Sequence, residues 1–193
     1  MNDTLSNSFF YFFSATPQVL AAIMALFGVF IIYKMQALKD ELIVIASEVL
    51  KLLESFSFPL LDVEEEKRRT AIAAFSDAIQ HKYLFFVNSV INGIPNFLDE
   101  DAIRKSTAKV IISRFNNGFS LHQFLFKSTI FLSSFTAFLI IACLSTIPLG
   151  CFLLTHLVLL NWIYGIIIIS LVLCFVGLII ILKIALTSQT VFR

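Results

Sequence analysis

The chain has 193 residues, of which 59% are apolar and 14% charged, and its mean hydropathy is +0.92. A soluble domain carries about 25% charged residues, so this composition excludes an ordinary water-solvated fold and makes lipid the natural solvent for the apolar excess. The net charge of +1 creates no field that would gather nucleic acid or steer an acidic substrate, so no nucleic-acid partner is expected.

Charge is distributed unevenly along the chain. Of the 27 Asp, Glu, Lys and Arg residues, 24 lie between Lys34 and Lys127, and only Asp3, Lys183 and Arg193 fall outside. The chain is a polar middle between two apolar ends, and the fold class expected is an all-α integral membrane protein with three transmembrane helices. A small cytoplasmic helical domain is expected between the first and second.

Residues 1–16 form a short outer segment in which Phe9, Phe10, Tyr11, Phe12 and Phe13 suit an interfacial aromatic belt. The first span is predicted over residues 17–35, with Thr16 as N-cap and Pro17 at the first helical position, where its missing N–H costs nothing. Those residues rise about 28 Å, close to the hydrocarbon thickness of a bilayer. A cleaved signal peptide would have a basic n-region, whereas Asp3 precedes this segment with no Lys or Arg, so retention in the mature chain is expected. Ala21, Ala25 and Gly28 follow one another at four and three residues, placing three small side chains on one face where a second helix can approach.

Residues 36–127 read as the cytoplasmic helical region. Leu38, Leu42, Ile45, Val49, Leu52 and Phe56 are spaced 4-3-4-3-4, one continuous apolar stripe on a helix that no Gly or Pro separates from the first span. Such a stripe fits either a coiled-coil seam between protomers or packing on other helices of the same chain, and the second is preferred because those helices have apolar faces to cover. Pro59 is expected to end this helix. Asp62 and Glu65 resemble a capping box opening a second helix, with Ile72, Phe75, Ile79 and Phe86 as its apolar face and a stop near Asn92-Gly93. A third is expected from Asp99 to a stop at Asn116-Asn117-Gly118, after which Ser120 caps a new helix leading into the second span.

The second span is predicted over residues 128–147, ended by Pro148-Leu149-Gly150, and the third over residues 162–184. Residues 148–161 are expected to form an outer interfacial connector, with Trp162 and Tyr164 at the boundary, and residues 185–193 a cytoplasmic tail. Lys34 and Lys39, Arg114 and Lys127, and Lys183 and Arg193 all flank the same ends of the spans. The positive-inside rule therefore places the N-terminus outside and the middle and C-terminus in the cytoplasm of a plasma or inner membrane.

Candidate chemistry is sparse. Glu64-Glu65-Glu66-Lys67-Arg68-Arg69 is read as a solvated first helical turn in preference to a docking surface. His81, His122 and His156 have no zinc-ligand spacing, and Cys143, Cys151 and Cys174 read as small apolar side chains. Phosphate-cradling loops and nucleophile elbows are absent from the sequence, and no cofactor or catalytic reaction is expected. Ser133, Ser134, Thr136, Ser145 and Thr146 make the second span the most polar, so a lumen in an oligomer is one reading; hydroxyls bonded to carbonyls one turn back are the simpler one. The function expected is a non-enzymatic membrane assembly or interaction protein, in contact with the bilayer and with a protein partner or further copies of itself through the cytoplasmic helices. Its rivals are a self-assembling pore or membrane-perturbing effector, and a membrane enzyme with a site split between the histidines and the charged helices.

Overall fold

The structure, a computed structural model, describes residues 3–55, 62–93 and 102–187. It is all-helical, with no strand among the described residues. In chain order the helices are α1 (Asp3–Ser55), α2 (Asp62–Gln80), α3 (Leu84–Gly93), α4 (Ala102–Thr146), α5 (Gly150–Thr155) and α6 (Leu157–Thr187). Three of them, α1, α4 and α6, contain stretches long and apolar enough to cross a membrane. Phe56, Pro59 and Asp99 lie outside the described residues.

Helix α1 spans Asp3–Ser55, so it does not start at Thr16, and it carries Pro17 in its interior. Proline there removes one N–H from the hydrogen-bond ladder, at a cost of about 3 kcal/mol in a helix interior. The helix continues upstream because Phe9 and Phe13, one turn apart, are buried on the same face as Leu20, Phe27 and Ile31. It also continues downstream without interruption through Met35 to Ser55.

Helix α4 runs through Asn116-Asn117-Gly118, where a stop was expected, and through Ser120, which caps nothing. Ala108, Ile112, Phe115 and Phe119 are buried on the approach, and Leu125, Leu132, Leu139 and Cys143 continue the buried face beyond. A Gly in a helix interior costs about 1 kcal/mol relative to Ala, less than the burial of a single phenylalanine. The Pro148 breaker does end α4 at Thr146, and Gly150 N–H closes the turn onto the Ile147 carbonyl at 3.0 Å. The stretch beyond it is helical: α5 gives way at His156 to α6, which begins at Leu157, five residues before Trp162, and passes Asn161 unbroken.

The second expected helix, in turn, is two. At its end the Tyr83 N–H bonds the Ala78 carbonyl and the Lys82 N–H bonds the Ile79 carbonyl, at 2.9 and 3.1 Å, the pairing of a Schellman motif. Its left-handed position, at φ 56°, is filled by Lys82. Glycine usually stands there, because a side chain costs about 1–2 kcal/mol in that conformation. Phe86, expected on the buried face, is half exposed beyond the corner.

The chain separates into two compact units, Met1–Tyr33 with Leu125–Leu186, and Lys34–Phe124 with Thr187–Arg193. In the first, Phe9 and Phe13 pack with Cys143, Leu153, Leu154, Leu160 and Ile167, and both Phe12 and Phe13 lie against the Tyr164 ring at centroid distances of 4.9 and 5.2 Å. Thr136 on α4 meets Cys174 on α6, Oγ1 to Sγ 3.3 Å. In the second, Leu42, Ile45, Ala46 and Val49 of α1 share a core with Phe75 and Ala78 of α2, Leu84, Val87 and Ile91 of α3, and Ala108, Ile112, Phe115 and Phe119 of α4.

Gly150 is the tightest glycine of the first unit: a Cβ there would stand 2.9 Å from the buried Phe9 ring and 3.2 Å from Phe10. Gly150→Val is expected to lower stability by about 1–3 kcal/mol, the usual penalty for overpacking, read as a lower melting temperature in detergent. Gly28→Val, where a Cβ meets nothing within 4 Å, is the control and should leave the melting temperature of the monomer nearly unchanged.

Candidate functional site

The 4-3-4-3-4 stripe is the backbone of the Lys34–Phe124 unit. Leu38, Leu42, Ile45 and Val49 are buried and Leu52 half-buried; Phe56 is outside the described residues. The faces that Leu42, Ile45, Val49 and Leu52 meet belong to α2, α3 and α4 of the same chain. Polar contacts also join these helices. The Lys82 ammonium donates to the Asp40 carboxylate on α1, both side chains half exposed. The Asn116 amide on α4 donates to Asn92 Oδ1 on α3 at 3.1 Å, and Asn92 in turn donates to Asn88. Asn116 Oδ1 is buried with no partner among the described residues.

The outer surface of this unit differs from helix to helix. On α2, Glu66, Arg69, Thr70, Ala73, Ala74, Ser76 and Asp77 are exposed, a polar, mixed-charge face. At the α2–α3 corner it turns aromatic: Tyr83, Phe85 and Phe86 are 59%, 75% and 48% exposed. His81 stacks on Tyr83 with centroids 5.7 Å apart and holds Asp77 through Nδ1 at 3.1 Å. Periodicity missed the corner, and with it Tyr83 and Phe85, and placed Phe86 on the buried face of a single helix, because the corner has neither Pro nor Gly to announce it.

His122, six residues before the predicted second span, is half-buried. Its imidazole pKa is lowered from the usual 6.5, chiefly by burial and secondarily by the charge of Lys39. His81 and His122 are not brought together by any ring contact or bond among the described residues, and no group of three His, Cys, Asp or Glu side chains there is placed to hold a metal.

Among the described residues the small-residue face of α1 meets no other helix: Ala21 and Ala25 are exposed and Gly28 has open space beside it. The hydroxyls of α4 do not gather on one side. At 100° per residue, positions 133, 134, 136, 145 and 146 point in directions spread around the helix. Ser133, Ser134 and Ser145 are exposed and Thr136 is buried. Thr136, Ser145 and Thr146 donate to the carbonyls of Leu132, Ile141 and Cys143, one turn back. A shallow groove follows one exposed face of α6, lined by Val158, Asn161, Trp162, Gly165, Ile166 and Ile169.

Ile45→Asp puts a carboxylate into the shared core without a partner, at a cost of about 3 kcal/mol or more, and is expected to abolish the cooperative thermal transition of this unit. With Val49 covered inside one chain, a single cysteine at that position should give no symmetric disulfide under oxidation, read on a non-reducing gel. The His122 shift carries a pH dependence of defined sign. A histidine whose folded pKa lies below its unfolded value binds protons less readily when folded, so stability is complete above about pH 6.5 and declines as pH falls from there through the folded pKa. Melting temperatures between pH 7.5 and 5 should fall on acidification, and His122→Gln should flatten that slope.

No protein-family model matches the chain, and comparison with curated proteins and with solved structures finds no match.

Proposed function

We propose that the protein is a membrane-anchored interaction or assembly protein, held by three spans with its N-terminus outside and the Lys34–Phe124 unit in the cytoplasm. The observation that carries this reading is the use of the α1 stripe as an internal core. With its apolar seam consumed inside the chain, the unit offers partners the polar outer face of α2 instead, where Glu66, Arg69, Thr70 and Asp77 are exposed. Mixed charge on such a face favours selective, reversible docking, since complementary potentials set partner choice and association rate more than raw affinity. Further copies of the chain have a separate place to meet, along the exposed Ala21, Ala25 and Gly28 face of α1, where close helix approach is unobstructed.

Orientation rests on Lys34, Lys39, Arg114, Lys127, Lys183 and Arg193, all at the same ends of the spans. Impermeant thiol reagents applied to a cysteine-free background should modify a single cysteine at Ser6 from outside intact cells and one at Ser76 only after the cells are opened. Labelling of both from outside would overturn the topology. For the docking role, a photocrosslinking residue at Thr70 in living cells should give a discrete adduct that charge reversal at Glu66 and Asp77 removes. Absence of any adduct, together with ion conductance of the purified protein in planar bilayers, would replace this function with the pore.

A further inference from the structure

Helix α6 has two unlike faces. Leu160, Ile167, Cys174, Leu178 and Ile181 are buried, and the side roughly opposite them, at 100° per residue, is open. There Val158, Trp162, Ile166 and Ile169 are exposed around Gly165, beside which a Cβ would meet nothing within 4 Å. Together with Asn161 they line the groove. Asn161 is exposed near one end of it, and its side chain makes no hydrogen bond among the described residues.

The groove has the form that a crossing helix fills. Its walls are two rows of residues four apart, Val158-Trp162-Ile166 and Asn161-Gly165-Ile169, and such rows interdigitate when two helices cross at about −40 to −50°. Gly165 leaves a gap in the middle of one row, where two backbones can approach closely.

The chemistry at the rim selects the occupant. A carboxamide both donates and accepts. The ester groups of a glycerolipid only accept, so a lipid would leave the Asn161 carbonyl without a donor, whereas a second Asn161 supplies both halves of a reciprocal pair. Copies of this chain inserted in the same direction lie at the same depth, and a two-fold axis along the bilayer normal sets each residue against its own number. Like charges do not oppose the contact: the only charged residue of α6 is Lys183, about 27 Å along the helix from Gly165, where axes crossing at that angle have separated. We propose that this groove is a self-association site: α6 of a second copy crosses it at Gly165, and the two Asn161 amides bond each other. The inference rests on the reading of the chain as a membrane-spanning assembly protein; it needs neither the docking role of α2 nor contact at the Ala21, Ala25 and Gly28 face.

Gly165→Leu fills the groove from a position where a Cβ meets nothing of its own chain. The full-length protein and its variants are compared by sedimentation equilibrium in density-matched detergent and by oxidation in phosphatidylcholine vesicles. The wild-type protein is expected to associate, Gly165→Leu to remain monomeric at the same protein-to-detergent ratio with an unchanged melting temperature, and Asn161→Leu to weaken association about fivefold, the order of one interhelical hydrogen bond. In a Cys151→Ser background, which removes the exposed native thiol, Ile169→Cys should give a disulfide-linked dimer and Phe175→Cys, about 120° away around the helix, none. A monomeric wild-type protein overturns the site, as does Gly165→Leu of wild-type mass. Association lost with Gly28→Leu and kept with Gly165→Leu overturns it while leaving the assembly reading in place, with copies meeting on α1. A monomer that retains one lipid, absent from Gly165→Leu, overturns it in favour of a lipid. Release of the chain from membranes by alkaline carbonate shows that the spans themselves fail, and overturns the site and the assembly reading together.

Discussion

The rest of this structure depends on two helices that are much longer than a bilayer is thick. Helix α1 has 53 residues and α4 has 45, rises of about 80 and 68 Å against a hydrocarbon core of about 30 Å. Within a helix every interior backbone donor finds its acceptor four residues back, so the chain can pass from lipid to water without a linker and without an unsatisfied peptide group. What changes along α1 is only the side chains: apolar on nearly every face up to Tyr33, then striped from Leu38 onward. The same two helices thus supply part of both compact units, and α2 and α3 complete the polar one.

How far the fold was legible in the sequence followed from the strength of the competing terms. The apolar runs and the stripe from Leu38 to Leu52 are long periodic signals, and each coincides with a helix. The errors fell at isolated residues. Pro17, Asn116-Asn117-Gly118 and Asn161 carry local penalties of about 1–3 kcal/mol, and each lies in a helix anchored on both sides by buried residues, Phe13 and Leu20, Phe115 and Phe119, Leu160 and Ile167. Pro148 succeeded as a stop because the chain turns there onto the close contact of Gly150 with Phe9. Conversely, the corner at Lys82 was illegible because no Pro or Gly marks it and the chain is helical on both sides.

Site legibility was poorer for a different reason. Interaction surfaces have no obligatory residue spacing, whereas a zinc site or a phosphate loop does. The hydroxyls of α4 illustrate the difference: as a composition they read as a lumen, yet Ser133, Ser145 and Thr146 point in directions at least 100° apart around the helix, and the Thr136 hydroxyl donates to a carbonyl one turn back. The small residues of α1 are in phase, and their face is open. The aromatic corner required three-dimensional knowledge of which side of α3 was left uncovered.

Lys82 has a consequence for what its corner depends on. Its left-handed conformation costs about 1–2 kcal/mol, while an exposed ion pair such as that with Asp40 contributes about 0–1 kcal/mol. Local terms alone thus do not favour the bend. In an isolated segment, residues 62–93 lack the surfaces of α1 and α4 that bury Phe75, Leu84, Val87 and Ile91, and only the turn's own hydrogen bonds and the contact of α2 with α3 are left to offset the unfavourable backbone. The corner is accordingly a property of the assembled unit and not of its own sequence: it is held by the surfaces of α1 and α4 that bury Phe75, Leu84, Val87 and Ile91.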